Sequence, residues 1–166
     1  MNKDQIDRYK YENKVSSDNF EMIDIGKIKY DKPIAFIINP MSGRKVDQTG
    51  VIINKMNEHN IKYEFLVSKS QCDAIKIVKE LDLDRFSALV AVGGDGTIHE
   101  VINGLLHRSD NKKIPLGFLP NGSGNDMCKS LELQTFEQGL QYLVKGDLIK
   151  TDVFEALLDH ETVEEV

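Results

Sequence analysis

The chain has 166 residues, 40% of them hydrophobic and 29% charged, the composition of a globular domain and not of a disordered or fibrous segment. Its 21 basic and 27 acidic residues leave a formal charge of −6, which argues against a nucleic-acid binder and gives no broad pull toward anionic membranes. Two cysteines, Cys72 and Cys128, are too few for a disulfide scaffold and lack zinc spacing, so a reduced, cytoplasmic chain is expected.

Residues 1–32 read as a polar lead-in of mixed charge. They contain neither the basic start and apolar stretch of a signal peptide nor a spanning segment. Only 20–28 hints at strand patterning, and an edge element is expected there. From Pro33 the pattern alternates. Ile34 to Ile38 is a continuous apolar run, as in a strand buried on both faces. Residues 46–59 have helical spacing, with Val51, Ile52 and Met56 on one side. A second strand is expected over 61–67. Ser70 then opens a helix, with Asp73 three residues on in a capping-box-like pairing, and Ala74, Ile77, Val78 and Leu81 form its buried stripe. Residues 87–92 make a third strand. Thr97 opens a helix whose inner face is Ile98, Val101, Ile102 and Leu105. Asn103-Gly104 within it is poor in helix propensity, which points to close packing. A fourth strand covers 114–119, with Pro115 near its start. Helical stretches around 127–131 and 135–145 follow, then a strand over 148–154. The last residues, 155–166, are an acidic tail or the start of a further domain.

Strand and helix alternating at this spacing mean crossover connections and a mainly parallel α/β sheet with flanking helices. Ligands bind such sheets beyond the carboxyl ends of the strands. Three unusual loops follow strands, after Ile38, Val92 and Leu119, and they should converge on one sheet edge.

The loop Gly93-Gly94-Asp95-Gly96-Thr97 carries the strongest signal. Its glycines let the backbone approach a ligand, successive N–H groups form an anion-binding concavity, and the helix start adds positive potential. A phosphate is the expected guest. A carboxylate repels phosphate, so Asp95 points to a task, either through Mg²⁺ or as acceptor of a proton from an attacking hydroxyl. The third glycine of a dinucleotide fingerprint is replaced by His99, and no P-loop is present. In the first loop, Asn39 offers a donor and an acceptor suited to an adenine edge or a phosphate, while Ser42, the Gly43 backbone and Arg44 suit phosphates. The third loop, 120–126, again sets glycines and small donors before a helix. Glu100 lies on the loop side of its helix, either against a ribose or as a helix-dipole partner. Ser68 ends a strand on the same edge. His99 reads as exposed or structural.

The segments NPMSGRK at 39–45, VGGDGTIHEVINGLL at 92–106 and LPNGSGNDMCKSL at 119–131 resemble, in order and spacing, the catalytic domain of diacylglycerol, sphingosine and ceramide kinases. The resemblance covers about residues 33–154. NAD kinases and phosphofructokinases share a GGDGT-like loop on a related fold, and the 120–126 loop separates the chain from NAD kinase. The resemblance implies ATP and Mg²⁺, with transfer of the γ-phosphoryl group to a lipid hydroxyl. It makes Asp95 the general base. It assigns nucleotide binding to Asn39, Pro40, Ser42, Gly43, Arg44, Ser68, Gly93, Gly94, Gly96, Thr97, Glu100, Gly122, Ser123, Gly124 and Asn125. The partner it implies is a lipid substrate, with membrane contact only peripheral, and no nucleic acid. Family members also carry a second, mostly β-sandwich domain, absent from these 166 residues, so the chain reads as a fragment. The alternative reading is a non-catalytic nucleotide-binding or regulatory module.

Overall fold

The computed structural model describes residues 23–43, 48–151 and 153. Gly26–Leu148 form one compact unit, and the described residues 23–25, 149–151 and 153 lie outside it. The larger unit holds a four-stranded sheet in the order β3-β2-β4-β5. Its strands are β2 (Ile34–Ile38), β3 (Tyr63–Val67), β4 (Ala88–Gly93) and β5 (Leu116–Pro120). All pairings are parallel, with Ile34 opposite both Tyr63 and Ala88, and Leu89 opposite Leu116. The helices are α1 (Gln48–Glu58), α2 (Asp73–Glu80), α3 (Asp95–Leu106), α4 (Asp126–Ser130) and α5 (Phe136–Lys145).

Every residue of β2 and β4 is buried. The period of two sorts their side chains into two cores. Ala35, Ile37, Leu89 and Ala91 pack with Ala74 and Val78 of α2 and Ile98, Val101 and Leu105 of α3. Ile34, Phe36, Ile38, Val90 and Val92 pack with Ile52 and Met56 of α1 and Leu140 of α5. Helices on both faces are what a continuous apolar strand requires.

Several local expectations are corrected. Helix α2 does not begin at Ser70. Cys72 takes the cap position in the left-handed region (φ 65°) with no side-chain cap, and Asp73 instead accepts from the Lys69 N–H at 2.7 Å. Helix α3 begins at Asp95 and not at Thr97, with the Ile98 N–H donating to the Gly94 carbonyl at 3.1 Å. Val51 is 39% exposed, off the buried stripe of α1. Pro115 lies outside β5, where its carbonyl accepts from the Leu89 N–H at 3.0 Å. The final strand, β6 (Asp147–Lys150), does not join the main sheet but pairs with β1 (Ile23–Lys27), the edge element expected over 20–28. Two strands of five and four residues show too little alternation to reveal a partner. The acidic tail lies outside the described residues.

Gly104 does mark a close approach. A Cβ there would stand 2.8 Å from Val78 Cβ and 3.0 Å from the Ile75 carbonyl oxygen of α2, neither of which is the free end of a side chain. Alanine is the better helix former by about 1 kcal/mol, but overpacking costs about 1–3 kcal/mol. Gly104→Ala is therefore expected to lower stability in urea unfolding. An unchanged or raised midpoint contradicts tight α2–α3 packing.

Candidate nucleotide site

Because the four strands are parallel, their carboxyl ends share one edge, and the three loops meet there. Asn121 is the centre of the junction. Its N–H donates to the Gly93 carbonyl at 2.8 Å and its side-chain amide to the Ser42 carbonyl at 3.0 Å, tying the third loop to the second and first. Asn39 closes the remaining side. Its Nδ2 donates to Thr97 Oγ1 at 3.3 Å, while its Oδ1 accepts from the Met41 N–H at 2.9 Å. Ser42 folds back on the same turn, its hydroxyl donating to the Asn39 carbonyl at 2.8 Å. In the third loop Asn125, at φ 57°, exchanges two 2.8 Å bonds with Gly122 through its side-chain amide.

Glycines permit the crowding. A Cβ on Gly122 would meet Gly94 Cα at 2.5 Å, and one on Gly93 would meet Thr97 Oγ1 at 2.4 Å. Gly43 combines a positive φ of 86° with the Asn121 carbonyl where its Cβ would go.

Asp95 stands at the first position of α3, and its Oδ1 accepts from the Met127 N–H at 3.2 Å. Burial works to raise its pKa. The N–H groups of Met127, Asp126, Asn125 and Asp95 itself outweigh burial and hold the carboxyl below its ordinary value. Cys128 beside it is buried, which with the Asp95 charge pushes its thiol up to about 11 and leaves it unreactive.

The expected binding residues fall around two clefts. The first, of about 450 Å³, is lined by Asn39, Ser42, Ser68, Gly94, Gly96, Thr97 and Glu100 together with Met41 and the turn 69–71. The second, of about 800 Å³, is lined by Gly43, Gly122, Ser123, Gly124 and Asn125, with Val51, Lys129 and Phe136. Both volumes fall in the range of small-molecule sites. Pro40 and Gly93 line neither cleft. Arg44 lies outside the described residues. Ser68 is buried, its hydroxyl donating to the Ile38 carbonyl at 3.3 Å. Glu100 is engaged by protein at both oxygens, accepting from the N–H groups of Cys72 at 3.0 Å and Ala74 at 3.2 Å. It is a helix-dipole partner, but of α2 and not of its own helix. His99 is exposed, as expected.

Sequence reasoning placed Asn121 in a loop without giving it a role. Its signal was available, since Asn121, like Asn39, is an amide directly after a strand. The part played by Arg108 had no such signal. This buried residue follows α3 and donates to the carbonyls of Val78 and Leu81 at the end of α2.

The family profile described as the diacylglycerol kinase catalytic domain matches residues 33–156. Sphingosine kinase 1 of Arabidopsis thaliana is 36% identical over 126 residues, covering 71% of this chain and 25% of that protein. The diacylglycerol kinase of Bacillus subtilis is 36% identical over 102 residues, 60% of this chain and 33% of that protein. A solved structure of a diacylglycerol kinase from Bacillus anthracis superposes with a TM-score of 0.58 at 25% identity, over 69% of this chain and 40% of that one. The chain thus spans between a quarter and two fifths of the length of these relatives. No helix among the described residues is long and apolar enough to cross a membrane.

The Asp95 geometry sets a measurable value. In a carboxyl-carbon NMR titration its midpoint is expected below that of an ordinary aspartate. A midpoint above it would mean that burial outweighs the surrounding N–H groups.

Proposed function

The chain belongs to the family of diacylglycerol kinase catalytic domains, and from that premise we propose that it binds ATP with magnesium and passes the γ-phosphoryl group to a lipid hydroxyl of the diacylglycerol, sphingosine or ceramide class. The second domain implied by the resemblance completes the acceptor pocket in this reading, and membrane contact is peripheral, through the lipid.

The observation that carries the nucleotide part is Gly96. Gly43, Gly93, Gly94 and Gly122 have protein atoms where a Cβ would stand. At Gly96 nothing lies within 4 Å of that point, and φ lies outside the left-handed region. The folded chain itself has no use for a glycine there. Alanine would be favoured within a helix by about 1 kcal/mol. Gly96 lines the smaller cleft at the start of α3, where backbone N–H groups and the helix dipole favour an anion. The open position leaves room for phosphate oxygens.

Among the described residues no group of three or more His, Cys, Asp and Glu suits a metal. Magnesium does not need one, since it commonly takes one or two carboxylates and draws its other ligands from phosphates and water. Asp126, whose Oδ2 lies 3.8 Å from the point a Gly124 Cβ would occupy, fits that role, while Asp95, whose Oδ2 lies 2.9 Å from the same point, is kept for the acceptor proton. Bound there with the nucleotide, the ion would supply charge neutralisation at the phosphates.

Phosphoryl transfer is mainly positioning and charge stabilisation. The 93–97 and 122–125 loops hold and orient the phosphates. The acceptor oxygen bonds to the γ-phosphorus as the bond to the leaving ADP oxygen breaks, and the Asp95 carboxylate takes the hydroxyl proton. Like any ordinary aspartate that carboxylate is ionised at neutral pH, and because its pKa is held low, its contribution as base rests on position and not on raised basicity.

Two variants test this reading. Gly96→Ala should keep or raise the melting temperature while weakening MgATP binding about tenfold or more, the equivalent of about 1.4 kcal/mol. Unchanged affinity removes the loop from phosphate binding. Asp95→Asn retains an oxygen for the Met127 N–H. It should leave MgATP affinity within a few-fold and abolish transfer to diacylglycerol or sphingosine in mixed micelles, assayed in the longest natural form of the chain. Retained turnover removes Asp95 as the base. Nucleotide binding without transfer to any lipid by that form favours the binding-module reading.

A further inference from the structure

Helix α2 leads directly out of the wall of the smaller cleft, through Ser68 and the turn 69–71. Neither end of α2 is closed by a side chain of its own. At the N-terminal end Cys72 provides no side-chain cap, and the orphan N–H groups of Cys72 and Ala74 are taken by the two oxygens of Glu100. At the C-terminal end the guanidinium of Arg108 donates to the carbonyls of Val78 and Leu81, the latter at 2.8 Å. Arg108 is only 7% exposed. Asp110 grips its other side through Nε and Nη2, at 2.9 and 2.6 Å. The anion thus sits at the positive end of α2 and the cation at its negative end.

The spacing is matched. Helix α2 has 8 residues and spans about 12 Å at 1.5 Å per residue. Glu100 and Arg108 are eight positions apart along and just beyond α3, and Gly104 between them brings the two helices together. Arg108 lines neither of the two clefts around the loops.

We propose that Glu100 and Arg108 are positioning residues of the nucleotide site, clamping α2 at both ends so that the Ser68 to Gln71 turn is held as the fixed wall of the smaller cleft. This rests on the nucleotide reading given above. Glu100 acts through α2 from the wall of the cleft that it lines. Arg108 acts on the nucleotide from the far end of the helix.

The test combines amide hydrogen exchange with MgATP affinity, in the full chain, for Glu100→Gln, Arg108→Met and the milder Asp110→Asn at a more exposed site. Each should speed exchange at Cys72 and Ala74 and raise the Kd for MgATP, by about tenfold for the first two, the equivalent of one net hydrogen bond. Exchange in β2 and β4 should stay slow. Unchanged exchange at Cys72 and Ala74 overturns the clamp. Faster exchange with unchanged Kd overturns its coupling to the site. A raised Kd for Glu100→Gln alone, with α2 still protected, makes Glu100 a direct ligand. If Arg108→Met loses protection in β2 and β4 as well, Asp110→Asn decides. A wild-type chain without measurable MgATP affinity removes the nucleotide reading and this inference together, whereas the earlier outcomes leave that reading standing.

Discussion

Every residue of β2 and β4 is buried, and a strand with no solvent face must be covered by helices on both sides. Crossover helices keep the strands parallel, and parallel strands deliver all their carboxyl ends to one edge. The meeting of the three loops follows from that burial. A polar residue within Ile34–Ile38 would disturb both cores, since alternate positions feed α2 and α3 on one face and α1 and α5 on the other.

At the shared edge the loops are held mainly by one another. Asn121 and Asn39 spend their side-chain amides joining loop to loop, so the first reading of Asn39 as a base or phosphate contact is joined by a structural role that accounts for its present bonds. Most of the loop glycines have a comparable explanation in close backbone approach. Gly96 alone among those of the 93–97 loop faces open space. Asp95 brings a negative charge among convergent N–H groups, which hold it ionised. The edge therefore combines positive potential from helix starts with the fixed carboxylate of Asp95, which suits handling a phosphate beside a proton acceptor.

Much of this was legible in the residues. The run at Ile34–Ile38 matches its strand, and the stripe of Ile98, Val101 and Leu105 is buried as its spacing indicates. Such signals are local, carried by period and composition within a dozen residues. What escaped depends on distant chain. The start of α2 reads as a Ser70 cap because a local pattern resembles one, yet Glu100, 28 residues beyond Cys72, supplies the acceptors. The function of Arg108 is set by carbonyls 27 and 30 residues earlier. The partner of β6 lies near the other end of the chain. In each case the deciding group is tertiary, and no window along the sequence contains both halves.

The central claim is that the carboxyl edge of this sheet receives nucleotide phosphates. Titrating the isotope-labelled chain with MgATP and following its amide resonances tests that most directly. The account predicts saturable shifts at Ser42, Ser68, Gly94 to Thr97 and Gly122 to Asn125, with the amino edge around Ser87 and Lys112 unmoved. Shifts confined to the amino edge, or none at millimolar MgATP, would contradict it.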